Sequence, residues 1–381
     1  MDFSLNSEQI LLRDSVRQFM ETEMRPVLRA YEREEKFPEA ELRKLGEMGC
    51  CGMLIPEEWG GAGMDMTSYV VMLEEVARVC ASTAITLSVT NSVASAPILK
   101  HGTEEQKKKY LPRLARGEIL GAFCLTEPAA GSDAAGIQSR AVRDGDSYVI
   151  NGTKSWVSNG GHTGVYVVFA KTDPEAKHRG ITAFLVEASF PGFRVARYED
   201  KMGLRISKSA EIALTDCRVP AANRLGEEGL GLRIALEALD GGRVGVAAQA
   251  VGLAQGALEA AAKYAKQRRA FGKTISEFQA IQWMLADMQT EIEAARGLLH
   301  QAAWMRDNNM ARAGAFASRA KLYASEMVNR VAYKAVQVHG SLGYSRESDV
   351  ERYYRDARVI SIYEGTSEMQ RTVIARELLK A

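Results

Sequence analysis

The sequence predicts an α+β protein in which an N-terminal α-helical domain, a middle β domain and a C-terminal helical bundle follow one another. Three observations support this order. Apolar residues at helical spacing fill the N-terminal third, short alternating segments with turn signals run from Gly121 to Pro220, and long alanine-rich stretches begin near Gly229. We therefore expect domains at residues 1–118, 119–228 and 229–381.

The composition restricts what the protein can bind. Of its 381 residues, 25% are charged and 46% are hydrophobic, as in soluble globular proteins, and the formal net charge is +1. Without a basic excess there is no electrostatic reason to expect nucleic-acid binding. No run of about 18 apolar residues predicts a membrane span. The start of the chain has no pattern of a secretion signal.

The cysteines and histidines indicate a reducing compartment and no metal site. Five cysteines lie in mostly apolar contexts, and no CxxC pair is present. We expect reduced, buried thiols in a cytoplasmic protein. The five histidines are scattered, so we expect no bound metal. The cysteines are Cys50, Cys51, Cys80, Cys124 and Cys217.

The N-terminal helices have recognisable starts. Asn6 and Gln9 have the spacing of a capping box, which predicts that the first helix begins there. Further helices are predicted for residues 41–48, 67–80, 88–101 and 104–115.

The middle segment changes to strand-like alternation. Asp144-Gly145 separates two alternating runs and predicts a hairpin, and Asn151-Gly152 is a second hairpin signal. More strands are expected at residues 165–170, 181–186, 193–196 and 210–214. Because no helical pattern intervenes, we expect a sandwich or a small barrel.

Helical patterns return at residues 230–269, 278–305, 312–339 and 368–379. Four such segments predict a four-helix bundle. Small residues on one face of the long helices favour packing against partner subunits, so we expect an oligomer.

Glu364 lies in the stretch Ile362-Tyr363-Glu364-Gly365-Thr366, between apolar residues and a helix start. Burial of this carboxyl would raise its pKa from about 4.3 toward about 6–7, where a general base works best at neutral pH. Gly365 would let a substrate approach the backbone closely. Alternatively, Glu364 is a turn acid favoured by the helix macrodipole, which is the better account of this stretch alone.

Two polar segments of the β domain are candidates for binding a flat ligand. Residues 123–133 form a loop of hydroxyls and small side chains that could reach the heteroatoms of a ring, or an ordinary turn. Trp156 and Ser158 would share one face of a strand, where an indole could cover a ring and a hydroxyl could bond its edge. A tryptophan in the core is the alternative.

Two helix ends of the C-terminal region carry further candidates. Arg268 could pair with a diphosphate or only complement a helix dipole. Ser276 and Gln279 have capping-box spacing. The glycines of residues 337–343 either cap a helix or admit a pyrophosphate. No GxGxxG follows a strand, so a Rossmann dinucleotide site is not predicted.

Together these segments resemble the acyl-CoA dehydrogenases. Residues 124–133, 156–159, 268–279, 337–343 and 363–368 match that family in order and spacing, over nearly the whole chain. The stretch 239–247 resembles the short-chain (butyryl-CoA) branch most closely.

The resemblance implies an FAD cofactor between the β domain and the bundle. Thr126 and Ser158 would contact the isoalloxazine, Trp156 would pack on it, and Ser132 would contact flavin phosphate or CoA. Ser158 stands where many relatives have Thr, and it retains the hydroxyl. At position 341, where many relatives have Gly, this chain has Ser, which affects the local backbone contact to FAD. The full set of implied FAD contacts is Phe123, Leu125, Thr126, Gly131, Ser132, Trp156, Ser158, Arg268, Phe271, Gln279, Gln337, Gly340, Thr366 and Glu368, of which Arg268 to Gly340 would come from an adjoining subunit.

The resemblance also implies the chemistry. Glu364 would remove the α-proton of an acyl-CoA, and a hydride would pass from the β-carbon to flavin N5 to give trans-2-enoyl-CoA. The backbone N–H of Glu364 and a ribityl hydroxyl of FAD would polarise the thioester carbonyl. Some relatives carry the base at the position of Gly242 and a small residue at the position of Glu364. In this chain Gly242 has no side chain and position 364 is a glutamate, so both positions point to Glu364 as the base.

The implied substrate contacts are Ser132, Asp240, Arg243, Tyr363 and Gly365. For Asp240 and Arg243 a local helix salt bridge is an equal alternative. The implied partners are an acyl-CoA, electron transfer flavoprotein and three further copies in a homotetramer. An acyl-CoA oxidase, a dehydrogenase for branched, aromatic or dicarboxylyl substrates, and a non-catalytic scaffold that binds CoA or flavin remain open.

Overall fold

A computed structural model describes residues 4–380 and begins with a helical region. The capping box predicted at Asn6 is confirmed: its Oδ1 accepts from the Gln9 N–H at 2.8 Å, and the Gln9 side chain accepts from the Asn6 N–H at 3.2 Å. The helices of this region are α1 (Ser7–Phe19), α2 (Arg25–Glu34), α3 (Glu39–Glu47), α4 (Met66–Val79), α5 (Ala81–Val89), α6 (Ser95–His101) and α7 (Glu104–Ala115).

The predicted helix at residues 88–101 is only the second half of a longer helical run. The run begins with α5 and reaches α6 through a π-helical turn at Thr90–Ala94. Every residue of α5 is buried, so the segment has no polar face and no amphipathic period. Its sequence signal was therefore too weak to mark the start.

The middle region is one mixed sheet, as the predicted β domain requires. Among the described residues the strand order is β6-β7-β3-β2-β4-β5-β8, with β1 parallel to β4. Alternate residues of β4 face opposite sides of the sheet. Val165 and Val167 pack toward α7, and Tyr166 and Val168 pack among buried residues of β3, β5 and β7. The strands are β1 (Gly121–Cys124), β2 (Arg140–Asp144), β3 (Ser147–Ser158), β4 (Val165–Lys171), β5 (Ile181–Val186), β6 (Phe193–Tyr198), β7 (Ser209–Pro220) and β8 (Arg224–Leu225).

One hairpin signal of the sheet is confirmed and the other is wrong. Asp144 pairs with Ser147 across the Gly145 turn that joins β2 and β3. Asn151-Gly152 is not a turn, because β3 continues through it with a register shift against β7. A Cβ at Gly152 would lie 2.1 Å from Ser139 Oγ, so the glycine serves a bulge that passes close to Ser139.

The C-terminal region is helical, with one helix that the sequence pattern did not predict. That helix, α11, lies between the third and last predicted segments and directly precedes Glu364. A short hairpin, β9 (Arg269–Ala270) and β10 (Lys273–Thr274), follows α8. The helices are α8 (Gly231–Gln267), α9 (Gln279–Asp307), α10 (Ala313–His339), α11 (Asp349–Ile360) and α12 (Ser367–Leu378).

Packing of small residues against partner subunits stays a prediction, but two glycines of α8 have a role within the chain. They face α4 of the same chain: a Cβ at Gly252 would lie 2.2 Å from Glu74 O, and one at Gly256 would lie 2.1 Å from Arg78 O. The two helix backbones therefore approach more closely than side chains would allow. The N-terminal helices and the bundle consequently share a single core around α8.

Other sequence expectations have structural outcomes. All five cysteines are free and buried, as predicted. Within the described part of the chain, no helix is both long and apolar enough to cross a membrane.

A buried charge cluster joins α2, α11 and the sheet. The Asp356 carboxylate accepts from the Leu204 N–H at 2.6 Å, and the Glu32 carboxylate lies 3.5 Å from the Arg355 guanidinium. Both oxygens of Glu32 are buried without a hydrogen bond. Burial, and next the charge of Asp356, raise the pKa of Glu32 to about 7.

We predict that Glu32→Gln makes stability less dependent on pH. Because the folded-state pKa of Glu32 is raised, its contribution to stability is complete at acid pH and is lost as pH rises through about 7. Denaturant unfolding of the purified protein should show the wild type losing roughly 2 kcal/mol more than the variant between pH 5 and pH 8. The exposed Glu39→Gln is the control. Equal losses in wild type and Glu32→Gln would contradict this account.

Candidate active site

Glu364 lies in the turn between α11 and α12. Its backbone is left-handed, with φ +53°, and that of Gly365 follows at φ +89°. The Thr366 hydroxyl caps α12 by accepting from the Met369 N–H at 3.3 Å. A turn acid before a helix is therefore the correct description of the local backbone, but the side chain adds a second role.

The Glu364 carboxylate packs directly against Gly242 of α8. A Cβ at Gly242 would lie 2.0 Å from Glu364 Oε2 and 2.7 Å from its Cδ. Oε2 is buried and has no hydrogen-bond partner among the described residues. Burial raises the pKa of Glu364 to about 7, against the opposing charges of Arg243 and Lys321. The site thus holds a carboxylate that accepts a proton near neutral pH.

Two of the predicted substrate contacts, Arg243 and Tyr363, interact with this carboxylate, and Asp240 pairs with Arg243. Arg243 donates to Asp240 Oδ1 at 2.5 Å, which is the local salt bridge considered as an alternative. The Arg243 charge also acts on Glu364, and its contact with a substrate stays a prediction. The Tyr363 hydroxyl donates to Gln249, whose Nε2 donates to Ala81 O at 2.7 Å.

The wall beside Glu364 comes from α4 and α5. A Cβ at Gly245 would lie 2.3 Å from Ser88 Oγ and 2.6 Å from the Tyr69 hydroxyl. These two groups are hydrogen-bonded to each other at 3.1 Å. The sequence analysis missed both residues, because each lies in an apolar helix with nothing local to distinguish it.

Two buried side chains hold the carbonyl groups of the Glu364 turn. Lys321 Nζ donates to Gly365 O at 2.8 Å. Gln370 Nε2 donates to Gly365 O at 3.0 Å and to Glu364 O at 3.2 Å. No hydrogen bond of the described residues uses the N–H of Glu364. Gly365 is needed for its backbone, since a Cβ there would lie 2.6 Å from Gln370 Nε2.

The loop after β1 is built around a buried ion pair that the sequence analysis also missed. Lys154 Nζ lies 2.7 Å from Glu127 Oε1, and neither side chain is exposed by more than 5%. Glu127 also accepts from the N–H groups of Gln138 at 2.6 Å and Ser139 at 3.0 Å. The pair therefore fixes both ends of the loop to β3.

The predicted ligand groups of the β domain come together on this loop and β3. Thr126 O accepts from the Ser155 N–H at 2.9 Å, which places Thr126 beside Trp156. Trp156 is 59% exposed, so it is not a core tryptophan. Its φ of +60° lies at a bulge in β3. Ser158 is half-buried at the end of the strand.

The remaining loop residues differ in exposure. Gly131 and Ser132 are exposed, and a Cβ at Gly131 would meet nothing within 4 Å. Leu125 packs into the core, and Phe123 stacks edge-on against Phe169 with ring centroids 5.0 Å apart. A ligand here would meet the Leu125 backbone rather than its side chain.

A second predicted group lies at the far end of α8. The Tyr264 and His339 rings stack at 4.4 Å and join the ends of α8 and α10. This brings Arg268, Phe271, Gln337 and Gly340 to one end of the bundle. Phe271 is 95% exposed at the tip of the β9–β10 hairpin.

The capping box predicted at Ser276 and Gln279 is wrong. The box is formed by Thr274 and Glu277, whose carboxylate accepts from the Thr274 N–H at 2.8 Å. Phe278 takes the N-cap position of α9, and Gln279 is its exposed first residue. The Gln279 side chain is therefore free of a capping role.

Within one chain, the structure does not bring the predicted contacts at the far end of α8 to those of the β domain and the Glu364 turn. Arg268 follows Gly242 by a helix length of about 39 Å. Thr366 and the exposed Glu368 stay with Glu364 at the start of α12.

Family models for the acyl-CoA dehydrogenases match three successive segments of the chain. The N-terminal domain matches residues 6–118, the middle domain matches residues 122–217 and the C-terminal domain matches residues 229–379. The chain therefore belongs to the acyl-CoA dehydrogenase family, whose members are FAD-dependent oxidoreductases that act on the CH–CH group of acyl-CoA.

Individual relatives resemble the chain over its full length. It is 44% identical to the short-chain specific acyl-CoA dehydrogenase of Clostridium acetobutylicum, with 100% of each chain covered. It is 47% identical to the acryloyl-CoA reductase (NADH) of Anaerotignum propionicum, covering 100% of this chain and 96% of that one. The butyryl-CoA dehydrogenase structure from Megasphaera elsdenii superposes with a TM-score of 0.97 at 43% identity and full coverage of both chains.

The residues present fit an FAD. An indole that is 59% exposed on a strand offers a flat surface, and the open space at Gly131 leaves the adjoining backbone accessible. Such a surface suits an aromatic ring system.

We predict that Gly242→Ala abolishes most acyl-CoA oxidation. Its Cβ would occupy the position of Glu364 Oε2 and displace the carboxylate, and misplacement by about 1 Å can cost about 100-fold in rate. Anaerobic flavin bleaching by acyl-CoA is the measurement. Gly297→Ala on α9 is the control, because its Cβ meets nothing within 4 Å and should leave the rate unchanged. Normal bleaching by Gly242→Ala would show that the carboxylate position is unimportant.

Proposed function

We propose that this protein oxidises a short-chain acyl-CoA to the trans-2-enoyl-CoA, with Glu364 as the base that removes the α-proton. The observation that carries the proposal is the buried Glu364 carboxylate against Gly242, with a pKa of about 7. A base with a pKa near the working pH combines a usable ionised fraction with a strong tendency to take a proton.

The backbone of the same residue would assist the proton transfer. The Glu364 N–H has no partner among the described residues, and we assign it to the thioester carbonyl oxygen. A hydrogen bond there stabilises the negative charge that develops on the oxygen as the α-proton leaves. When bound, FAD supplies the acceptor for the hydride that leaves the β-carbon, so the substrate loses one proton and one hydride.

The walls near Glu364 support a short acyl group. The hydroxyls of Tyr69 and Ser88 fill the space above Gly245. The Tyr363–Gln249 hydrogen bond closes another side. The similarity to the short-chain specific enzyme points the same way. Asp240, Arg243, Tyr363, Gly365 and Ser132 remain proposed substrate contacts.

The two groups of FAD contacts support assembly into an oligomer. We assign Phe123, Leu125, Thr126, Gly131, Ser132, Trp156, Ser158, Thr366 and Glu368 to the FAD beside Glu364. Arg268, Phe271, Gln279, Gln337 and Gly340 lie around the far end of α8, about a helix length from Gly242, and we infer that they do not reach that FAD from the same chain. They would complete the site of an adjoining copy, which fits the proposed homotetramer.

The proposed electron acceptor is electron transfer flavoprotein. This chain superposes on a solved chain with a TM-score of 0.98, at 46% identity over 100% of both chains. The structure of that chain is described as the electron transferring flavoprotein of Acidaminococcus fermentans, in work on flavin-based electron bifurcation.

A second candidate runs the same chemistry backwards. The identity of 47% to an acryloyl-CoA reductase favours saturation of a short 2-enoyl-CoA as the physiological direction. The site suits both directions, because a protonated Glu364 can return the proton to the α-carbon. Bleaching of oxidised enzyme by butyryl-CoA, compared with reoxidation of reduced enzyme by acryloyl-CoA, distinguishes the preferred direction.

We predict that Glu364→Gln retains FAD and binds acyl-CoA but bleaches at least about 1,000-fold more slowly, because the amide cannot take the proton. Stopped-flow absorbance under anaerobic conditions with butyryl-CoA measures the rate. The exposed Glu118→Gln should behave as the wild type. A purified wild type that cannot be loaded with FAD, or near-normal bleaching by Glu364→Gln, would overturn the proposal.

A further inference from the structure

Lys321 is a fully buried lysine without a matching carboxylate. Its exposed fraction is 0%, and its ammonium group has no carboxylate within ion-pair distance among the described residues. Lys154, which is also fully buried, has Glu127 at 2.7 Å. A buried, unpaired charge is costly, so such a group usually becomes neutral or serves a nearby charge.

The nearby charge is that of Glu364. Burial lowers the pKa of Lys321 to about 8, and Glu364 is the main group that opposes this decrease. In return, Arg243 and, as a smaller effect, Lys321 oppose the rise in the pKa of Glu364. The Arg243 charge is already matched by Asp240 at 2.5 Å, whereas that of Lys321 is not.

The same ammonium group fixes the backbone beneath the base. It donates to Gly365 O at 2.8 Å, next to the Gln370 amide. The carbonyl belongs to the second of two consecutive left-handed residues, and a non-glycine residue such as Glu364 is strained in that conformation. Donors to these carbonyls therefore help to keep the carboxylate over Gly242.

We propose that Lys321 is a positioning residue of the active site: its ammonium group holds the Gly365 carbonyl and supplies the positive charge that keeps Glu364 ionised before the α-proton is removed. This role rests on the proposed function of Glu364 as the base. It is separate from substrate contact, because the Lys321 side chain is fully buried and donates to Gly365 O.

The other charged and titratable groups around the pair have different partners. Those that interact with Lys321 or Glu364 are Arg243 from α8, Tyr69 from α4, Glu326 from α10, Glu368 from α12, and Tyr363 in the turn itself. Asp240 pairs with Arg243. Glu326 lies 3.8 Å from Arg371, and Glu368 is exposed.

Two neutral variants separate the charge from the hydrogen bond. Lys321→Gln retains a donor for Gly365 O, and Lys321→Met has none. The measurement is the pH dependence of anaerobic flavin bleaching at subsaturating butyryl-CoA, with FAD-loaded protein. Without the cation the pKa of Glu364 rises, so the midpoint should move to higher pH by about one unit in both variants. At pH 9 Lys321→Gln should recover close to the wild-type rate, and Lys321→Met should stay at least several-fold slower.

Lys334→Met is the matched control on the same helix. It removes a lysine that pairs with Asp287 and Glu291 on the bundle surface and should leave the midpoint unchanged. Lys321→Gln with the wild-type midpoint would overturn the proposal. If both neutral variants lose FAD, Lys321→Arg decides: a wild-type midpoint supports the charge role, and a displaced midpoint contradicts it. Bleaching of the wild type tests the proposed function separately.

Discussion

The contact between the Glu364 carboxylate and Gly242 is the constraint on which the site depends. The carboxylate is on a turn after α11 and its neighbour is on α8, more than a hundred residues earlier in the chain. Only a residue without a side chain at position 242 leaves room for the carboxylate. The same contact removes water from the carboxylate, which raises its pKa toward neutrality. The contact with Gly242 therefore determines both the position and the pKa of the Glu364 carboxylate.

The fold explains how this contact is maintained. Glycines along α8 let α4 approach backbone to backbone, so the N-terminal helices and the bundle form one core. That core places Tyr69 and Ser88 beside Glu364. The sheet contributes through a different interaction, the buried Glu127–Lys154 pair, which holds the loop that carries Thr126 beside Trp156. Each region thus supplies one side of the site.

The sequence predicted the elements with a strong local period or signal. The Asn6 capping box, the Asp144-Gly145 hairpin and the helix at Glu104–Ala115 are confirmed because caps, turns and amphipathic faces are encoded by neighbouring residues. The fully buried α5 was found only in part, since a helix without a polar face has no such period. The hairpin predicted at Asn151-Gly152 was wrong because a β-bulge favours the same residue types as a turn.

The candidate site was predictable only where residue type implied chemistry. Glu364 and the exposed Trp156 were identified, whereas Lys321, Gln370 and Lys154 were not. A lysine within a helical pattern is usually at the surface, and only the packing of α10 against the turn reveals that Lys321 is buried. Tertiary contacts, which no local pattern encodes, determine which groups surround the Glu364 carboxylate.

The most direct test of the account is to observe the proton transfer alone. Acetyl-CoA has α-hydrogens and no β-carbon, so it can lose a proton to the base but cannot lose a hydride. We expect the FAD-loaded protein in D₂O to exchange the α-hydrogens of acetyl-CoA for deuterium, followed by NMR. The rate should rise with pH through a midpoint near the Glu364 pKa of about 7. Exchange that is equally fast in Glu364→Gln, or that shows no midpoint between pH 6 and pH 8, would contradict the assignment of Glu364 as the base.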